Sequence, residues 1–204
     1  MPETQVVPGR AGVASRREAI LAAALDSFVR SGYSNTTIED IRRASGASIG
    51  SLYHHFGGKD GIAAALFVEG LAGYQSAFLS TLLPHANARA GVEAVVRHHL
   101  RWVREHPDLA RFLLAVRETE VIAAAEPELR RRNRAFFGAV TRWFAGHPEL
   151  PDLALDLLEP LLLGPVQEFS RHWLAGRATT TPERAEEILA AAAWHALTTT
   201  EEPR

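Results

Sequence analysis

The chain has 204 residues, 47% of them hydrophobic and 23% charged, with a formal net charge of −2 and no cysteine. That length allows one or two domains with a sizeable core, and the lack of thiols excludes a disulfide framework, a thiol nucleophile and a zinc–thiolate site. The net charge excludes a uniformly basic protein, but residues 1–59 carry seven Arg/Lys against five Asp/Glu and the rest fifteen against nineteen, a modestly basic head on an acidic body.

Residues 1–14 are rich in Pro, Gly and Ala without periodicity, which predicts a mobile tail. The start holds no apolar core of signal-peptide length, and no run of 18 or more apolar residues is free of charge, so the expectation is a cytoplasmic protein without a membrane span. Arg10, Arg16 and Arg17 can reach a phosphate or a narrow minor groove, or can equally be solvated charges ahead of a helix. Ser15 and Glu18 form an S/T-x-x-E capping box that predicts a first helix over about 15–31. Its apolar stripe is Ile20, Leu21, Ala24, Leu25 and Phe28.

The next stretch, Thr36 to Lys59, reads TTIEDIRRASGASIGSLYHHFGGK. Ile38, Ile41 and Ala44 recur every three residues behind a Thr36/Glu39 capping box, and Gly46 suits a left-handed helix end. Ser48 is placed to cap another short helix, with Ile49, Leu52 and Phe56 on one face. The other faces carry Ser48, Gly50, Ser51, Tyr53 and His54, and the helix has no acidic residue. Small hydrogen-bonding groups without negative charge suit a helix entering a DNA major groove.

This run, TTIEDI then SGAS, IGSLYHHF and K-D ahead of an apolar helix, resembles the DNA-binding region of the tetracycline-repressor (TetR/AcrR) family of bacterial transcription regulators. The resemblance covers about a quarter of the chain, roughly Ser15 to Leu66. It implies an all-α protein: a three-helix DNA-binding domain with a helix-turn-helix at 15–59, then a helical ligand-binding and dimerisation domain at 60–204. Carried over position by position, it assigns DNA contacts to Thr36, Thr37, Ser48, Ile49, Gly50, Ser51, Tyr53, His54, His55 and Lys59. Thr37 would meet a phosphate beside the N–H groups of a helix start. Gly50, costly within a helix, would let backbone approach DNA. Ile49 touches a thymine methyl or is buried, partial burial being the expectation. Lys59 is the sole Lys among 22 basic residues and stands where relatives carry a phosphate-binding Lys.

From Asp60, helical periodicity extends to Pro84, with Phe67, Leu71, Tyr74 and Phe78 on a shared face. A fifth helix over Ala90–His106 follows. Pro107, Pro127, Pro151 and Pro182 read as the starts of the sixth to ninth helices, and Pro160 and Gly164-Pro165 should kink or interrupt the eighth. The sequence shows no strand alternation and no internal repeat, so about nine helices are expected.

A single small reading head recognises few base pairs, which implies a homodimer on a palindromic site of double-stranded DNA. The resemblance places the dimer interface in the last two helices, where Leu158, Leu162, Val166, Phe169, Trp173, Ile188, Ala192 and His195 are candidates. It also implies a small-molecule cavity in the body. Phe67, Tyr74, Phe78, Trp102, Phe112 and Phe137 are candidate walls, with His98 and Arg117 as polar handles. Such a lining suits an apolar or amphipathic effector, although aromatic residues at helical spacing more often form core. No metal, cofactor or enzymatic site is expected. There is no H-E-x-x-H, P-loop or G-x-S-x-G motif, and the adjacent pairs His54-His55 and His98-His99 diverge by about 100° on a helix. Arg130, Arg131, Arg132 and Arg134 read as a solvated, ion-paired face. The rival expectation is a helical protein–protein or ligand-binding module that no longer binds DNA.

Overall fold

The computed structural model describes residues 10–116 and 120–199, without the side chains of 10–15, 120–124 and 126. Among the described residues there are nine helices and no strand: α1 Arg10–Ser31, α2 Ile38–Ser45, α3 Ile49–Phe56, α4 Lys59–Leu82, α5 Ala88–Glu105, α6 Pro107–Ala115, α7 Glu120–Ala145, α8 Leu155–Leu174 and α9 Pro182–Thr198. Two compact units result. One takes the chain up to Glu69 with a later segment, Ala115–Glu126; the other takes Gly70–Leu114 and the chain from Pro127. The division thus falls inside α4, ten residues beyond its start.

In the first unit α1 packs on α2, and α3 follows across a short turn. Ile20, Ala24 and Phe28 of α1, Ile41 of α2, Leu52 of α3 and Ile62 of α4 are buried. α1 starts at Arg10, five residues ahead of the expected Ser15, so Ser15 lies within the helix and is not its cap. The first cap of the motif is displaced by one residue. Thr37, in extended backbone, caps α2 and forms a reciprocal box with Asp40. Gly46 then adopts φ 63° and turns the chain into Ala47 and the Ser48 cap of α3. Just after α3, Gly61 sits so close to the chain that a Cβ would overlap the Phe56 carbonyl. Only glycine fits this close approach.

In the second unit α5 packs on α9 and α8, and α8 on α9. The core joins Phe78 and Leu82 of α4, Val92, Val95, Val96 and Leu100 of α5, Val140 and Trp143 of α7, Leu158, Leu162 and Val166 of α8, and Ala190 and Ala193 of α9. Each fully buried aliphatic side chain there contributes about 1.5–3 kcal/mol relative to an exposed one. Trp143 donates its indole N–H to the His85 carbonyl at 3.0 Å, which satisfies its polar edge.

Proline marks the helix boundaries less uniformly than the sequence suggests. Pro107 and Pro182 do open α6 and α9. Pro127 instead lies inside α7, which begins seven residues earlier in the Ala-rich VIAAAE segment, where helix propensity outweighs the one lost backbone bond. Pro151 precedes α8, whose first residue is Leu155. Pro160 and Pro165 stand within α8 without interrupting it. α4 is long and apolar enough to cross a membrane, with mean hydropathy 1.4 over an 18-residue window. Part of its apolar surface is buried in protein cores: Ile62, Ala63, Leu66 and Phe67 in the first unit, Phe78 and Leu82 in the second.

Candidate nucleic-acid interface

The reading helix α3 is held from both ends. Ser48 accepts the Ser51 N–H on its hydroxyl oxygen at 3.2 Å, and Gly57, at φ 74°, returns its N–H to the Tyr53 carbonyl at 2.9 Å. Leu52 anchors the inner face at 0% exposure, with Phe56 half-buried beside it. The outer face then carries Ile49 at 45% exposure and Tyr53 at 54%, with Ser48, Gly50 and His54 also exposed and Ser51 and His55 half-buried. Ile49 thus keeps nearly half of its surface open to solvent. One turn before Tyr53, it forms with that ring an exposed apolar pair on the face that has no acidic residue.

Gly50 has open space around it: a Cβ built there meets nothing within 4 Å. Packing within the chain thus gives no reason for a glycine in the middle of α3, which costs about 1 kcal/mol of helix stability relative to Ala.

The N-terminus of α2 is less available than expected. Thr36 is 2% exposed and donates its hydroxyl to the carbonyls of Ser27 at 3.1 Å and Gly32 at 2.8 Å. It cannot reach a phosphate, so its expected DNA contact is corrected to a role in tying α1 to the start of α2. Thr37 is exposed, but its hydroxyl donates to Asp40 Oδ2 at 2.6 Å and accepts the Asp40 N–H at 3.2 Å. This bonding holds the Asp40 carboxyl below its usual range. A phosphate approaching Thr37 would therefore meet a neighbouring carboxylate.

Lys59 opens α4, with its ammonium 4.5 Å from the Tyr33 ring centroid and donating to the Tyr33 carbonyl at 3.1 Å. Tyr33 in turn donates to Asp60 Oδ1 at 2.5 Å. The ammonium has three N–H donors, so the Tyr33 carbonyl leaves it capacity for a phosphate oxygen. The sequence gives no sign of this partner, since 26 residues separate Tyr33 from Lys59 and no local pattern links them. Arg17 is engaged with Glu69 and lies over the Phe56 ring at 5.3 Å, which makes it a brace between α1, α3 and α4. Arg16 is exposed and reaches the Gly46 carbonyl only at 3.5 Å. Arg10 belongs to α1, and its side chain lies outside the described residues.

The candidate effector residues are only partly brought together. Tyr74 touches Phe78, His98 and Trp102 at ring-centroid distances of 6.2, 6.0 and 5.0 Å. Phe137 joins this set through Phe136, which stands 5.4 Å from Phe78. Phe67 is buried in the first unit. Phe112 is buried in the second, and Arg117 lies outside the described residues. The candidate dimer residues also divide. Leu158, Leu162 and Val166 are buried in the chain's own core, so they are corrected from interface to core residues. Phe169 and Trp173 are half-buried, whereas Ala192 and His195 are exposed and Ile188 is 71% exposed. No group of three or more metal-ligating side chains occurs among the described residues.

Comparison with known proteins identifies relatives of this fold. Residues 20–66 match the family model described as "Bacterial regulatory proteins, tetR family". The chain is 30% identical to the HTH-type transcriptional repressor Rv1474c of Mycobacterium tuberculosis over 139 residues, covering 60% of this chain and 69% of that protein. It is 26% identical to the HTH-type transcriptional repressor KstR2 of the same species over 186 residues, 87% of this chain and 91% of that one. A TetR family transcription regulator from Marinobacter aquaeolei VT8 has the same fold, with a TM-score of 0.78 at 22% identity over 93% of this chain and 98% of that one.

Proposed function

Because the chain belongs to the tetR family of bacterial regulatory proteins, we propose that it acts as a homodimeric repressor that a small molecule releases from a palindromic operator. The observation that carries this is the outer face of α3. It is exposed, free of acidic residues, and interrupted by a glycine that nothing in the chain requires.

DNA recognition falls to residues 15–59. Each subunit lays α3 in a major groove, with Tyr53 and Ile49 against sugar or thymine methyl groups and Ser48, Ser51 and His54 at base edges or phosphates. His55 and Lys59 fix the register through phosphates. Dimerisation and effector binding fall to residues 60–204. Ile188, Ala192 and His195 lie at i, i+4 and i+7 of α9 and so share one exposed strip. An exposed strip with a large apolar Ile188, a small Ala192 and a polar His195 fits a two-fold contact between identical helices. An effector bound among the aromatic residues around Tyr74 favours a dimer whose two α3 helices no longer match the half-site spacing. If it discriminates the two states by about 3 kcal/mol, operator affinity falls about a hundredfold.

The test is the salt dependence of DNA binding by the intact dimer. Each phosphate contact adds a slope of about −0.9 to log K against log salt, so several contacts per subunit predict a steep fall. A flat line for folded, dimeric protein rejects DNA reading and leaves a helical ligand-binding module.

A further inference from the structure

The second unit contains a polar pair that neither packing nor DNA recognition explains. His99, on α5, is 92% buried by its 8% exposure, and its Nδ1 lies 2.9 Å from the Tyr74 hydroxyl of α4. Its other ring nitrogen, Nε2, is buried with no hydrogen-bond partner, and the same holds for Nε2 of His98 next to it. A buried polar group left unpaired costs about 1–3 kcal/mol, so two at one place call for a reason.

The chemistry of the pair sets what the open nitrogen offers. Burial pushes the Tyr74 phenol up, with Glu159 adding to the effect, and pushes the His99 imidazole down to about 4, with His98 adding to it. Both groups are therefore neutral at neutral pH. A phenol is the better donor of the two and an imidazole nitrogen the better acceptor, so the hydroxyl donates to Nδ1. The imidazole proton then sits on Nε2, and the unpaired atom is an N–H donor, strengthened by the bond Tyr74 makes to the far side of the ring. The His99 ring packs edge-on against Tyr74 at 5.7 Å, and Tyr74 continues into an aromatic cluster through Trp102 and Phe78, with Phe136 beyond Phe78. The charged groups nearby are Glu159 toward Tyr74, and Arg101 and Glu105 toward His98. A neutral N–H donor offers no positive charge to pair with an anion, and burying an unpaired carboxylate is costly.

We propose that Tyr74 and His99 form the polar anchor of the effector site, and that this site takes an apolar molecule bearing an uncharged carbonyl oxygen (ketone, ester or amide) that accepts the His99 Nε2–H. The inference rests on the effector reading above and adds to it the class of ligand and the atom that recognises it. Tyr74 is a positioning residue, since it acts on the ligand through the imidazole. The aromatic rings supply the apolar contact, and the single N–H fixes which end of the molecule enters.

The test uses three small probes of similar size on the full-length dimer: cyclohexanone, its oxygen-free isostere methylenecyclohexane, and cyclohexanecarboxylate. Affinities are measured by titration, and the state of His99 by ¹⁵N NMR of the imidazole. The expected result is a protonated Nε2 whose resonance moves with cyclohexanone and stays with methylenecyclohexane. The ketone should bind about fivefold tighter than the isostere, and the carboxylate weakest. Both Tyr74→Phe and His99→Phe should lose the preference for the ketone while still binding the hydrocarbon. Tyr74→Phe, which keeps the ring, decides the matter if His99→Phe fails to fold. Equal binding of ketone and isostere, or an Nε2 without a proton, overturns the anchor and leaves the effector reading standing. If neither neutral probe binds up to its solubility limit, both readings fall.

Discussion

Helices α3 and α8 both carry apolar residues that the sequence pattern offers as contacts for another molecule, yet the structure treats them in opposite ways. On α3 one residue, Leu52, anchors the helix, and the neighbouring Ile49 and Tyr53 remain exposed. On α8, Leu158, Leu162 and Val166 all enter the chain's own core, whereas Ile188 of α9 stays exposed. The difference follows from length and position. An eight-residue helix needs only one side to stay in place. A twenty-residue helix packed between α5 and α9 must bury a stripe along much of its length to stay ordered.

This contrast yields its largest effect in the core. Leu162→Ala should lower the unfolding free energy by about 2–5 kcal/mol, read by urea denaturation at fixed protein concentration. Ile188→Asp should leave the helical circular dichroism unchanged while sedimentation shows dissociation to monomers. The reverse pattern would return α8 to the interface.

Next in size is a pH effect confined to the second unit. Since the folded state holds the His99 pKa near 4, below the usual 6.5, the unfolded chain takes up a proton first as pH falls. Stability should therefore decline from about pH 6.5 down to 4, by about 3 kcal/mol across the window. His99→Phe should remove that portion of the decline. Carboxylates such as Glu93, held low by Arg89 and Arg97, lose their contribution at more acidic pH in both proteins, so the difference between the two curves isolates the imidazole.

On α3, Tyr53→Ala should change stability by less than about 0.5 kcal/mol and weaken operator binding by about tenfold to a hundredfold. The smallest effect is also the most specific. Gly50→Ala should stabilise the protein by up to about 1 kcal/mol, because the methyl meets open space and Ala is the better helix former, and yet bind DNA less well. A variant that is more stable and binds equally well would remove close backbone approach from the account.

The head was legible because its signals are local. Gly46 at the turn, the Ser48 cap and the apolar positions Ile41 and Leu52 all lie within a few residues of what they control. Even there, TTIED holds two overlapping cap patterns, Thr36/Glu39 and Thr37/Asp40. Only the burial of Thr36 against the Ser27 and Gly32 carbonyls selects the second. In the body the decisive partners are remote in sequence. Tyr74 and His99 are 25 residues apart, and nothing in the HHL run indicates which imidazole is buried. Proline was informative only where the preceding segment could not continue a helix, as at Pro107 after the His106 cap. Before Pro127 the chain is Ala-rich, and the helix runs through it.

The most direct test of the central claim is selection of bound sequences from random duplex DNA, with wild type and Tyr53→Ala in parallel. The expected result is a palindrome whose half-sites lie about one helical turn or a multiple apart, enriched by the wild type and lost by a variant that still dimerises. Folded, dimeric protein that enriches no sequence even at low salt would contradict it.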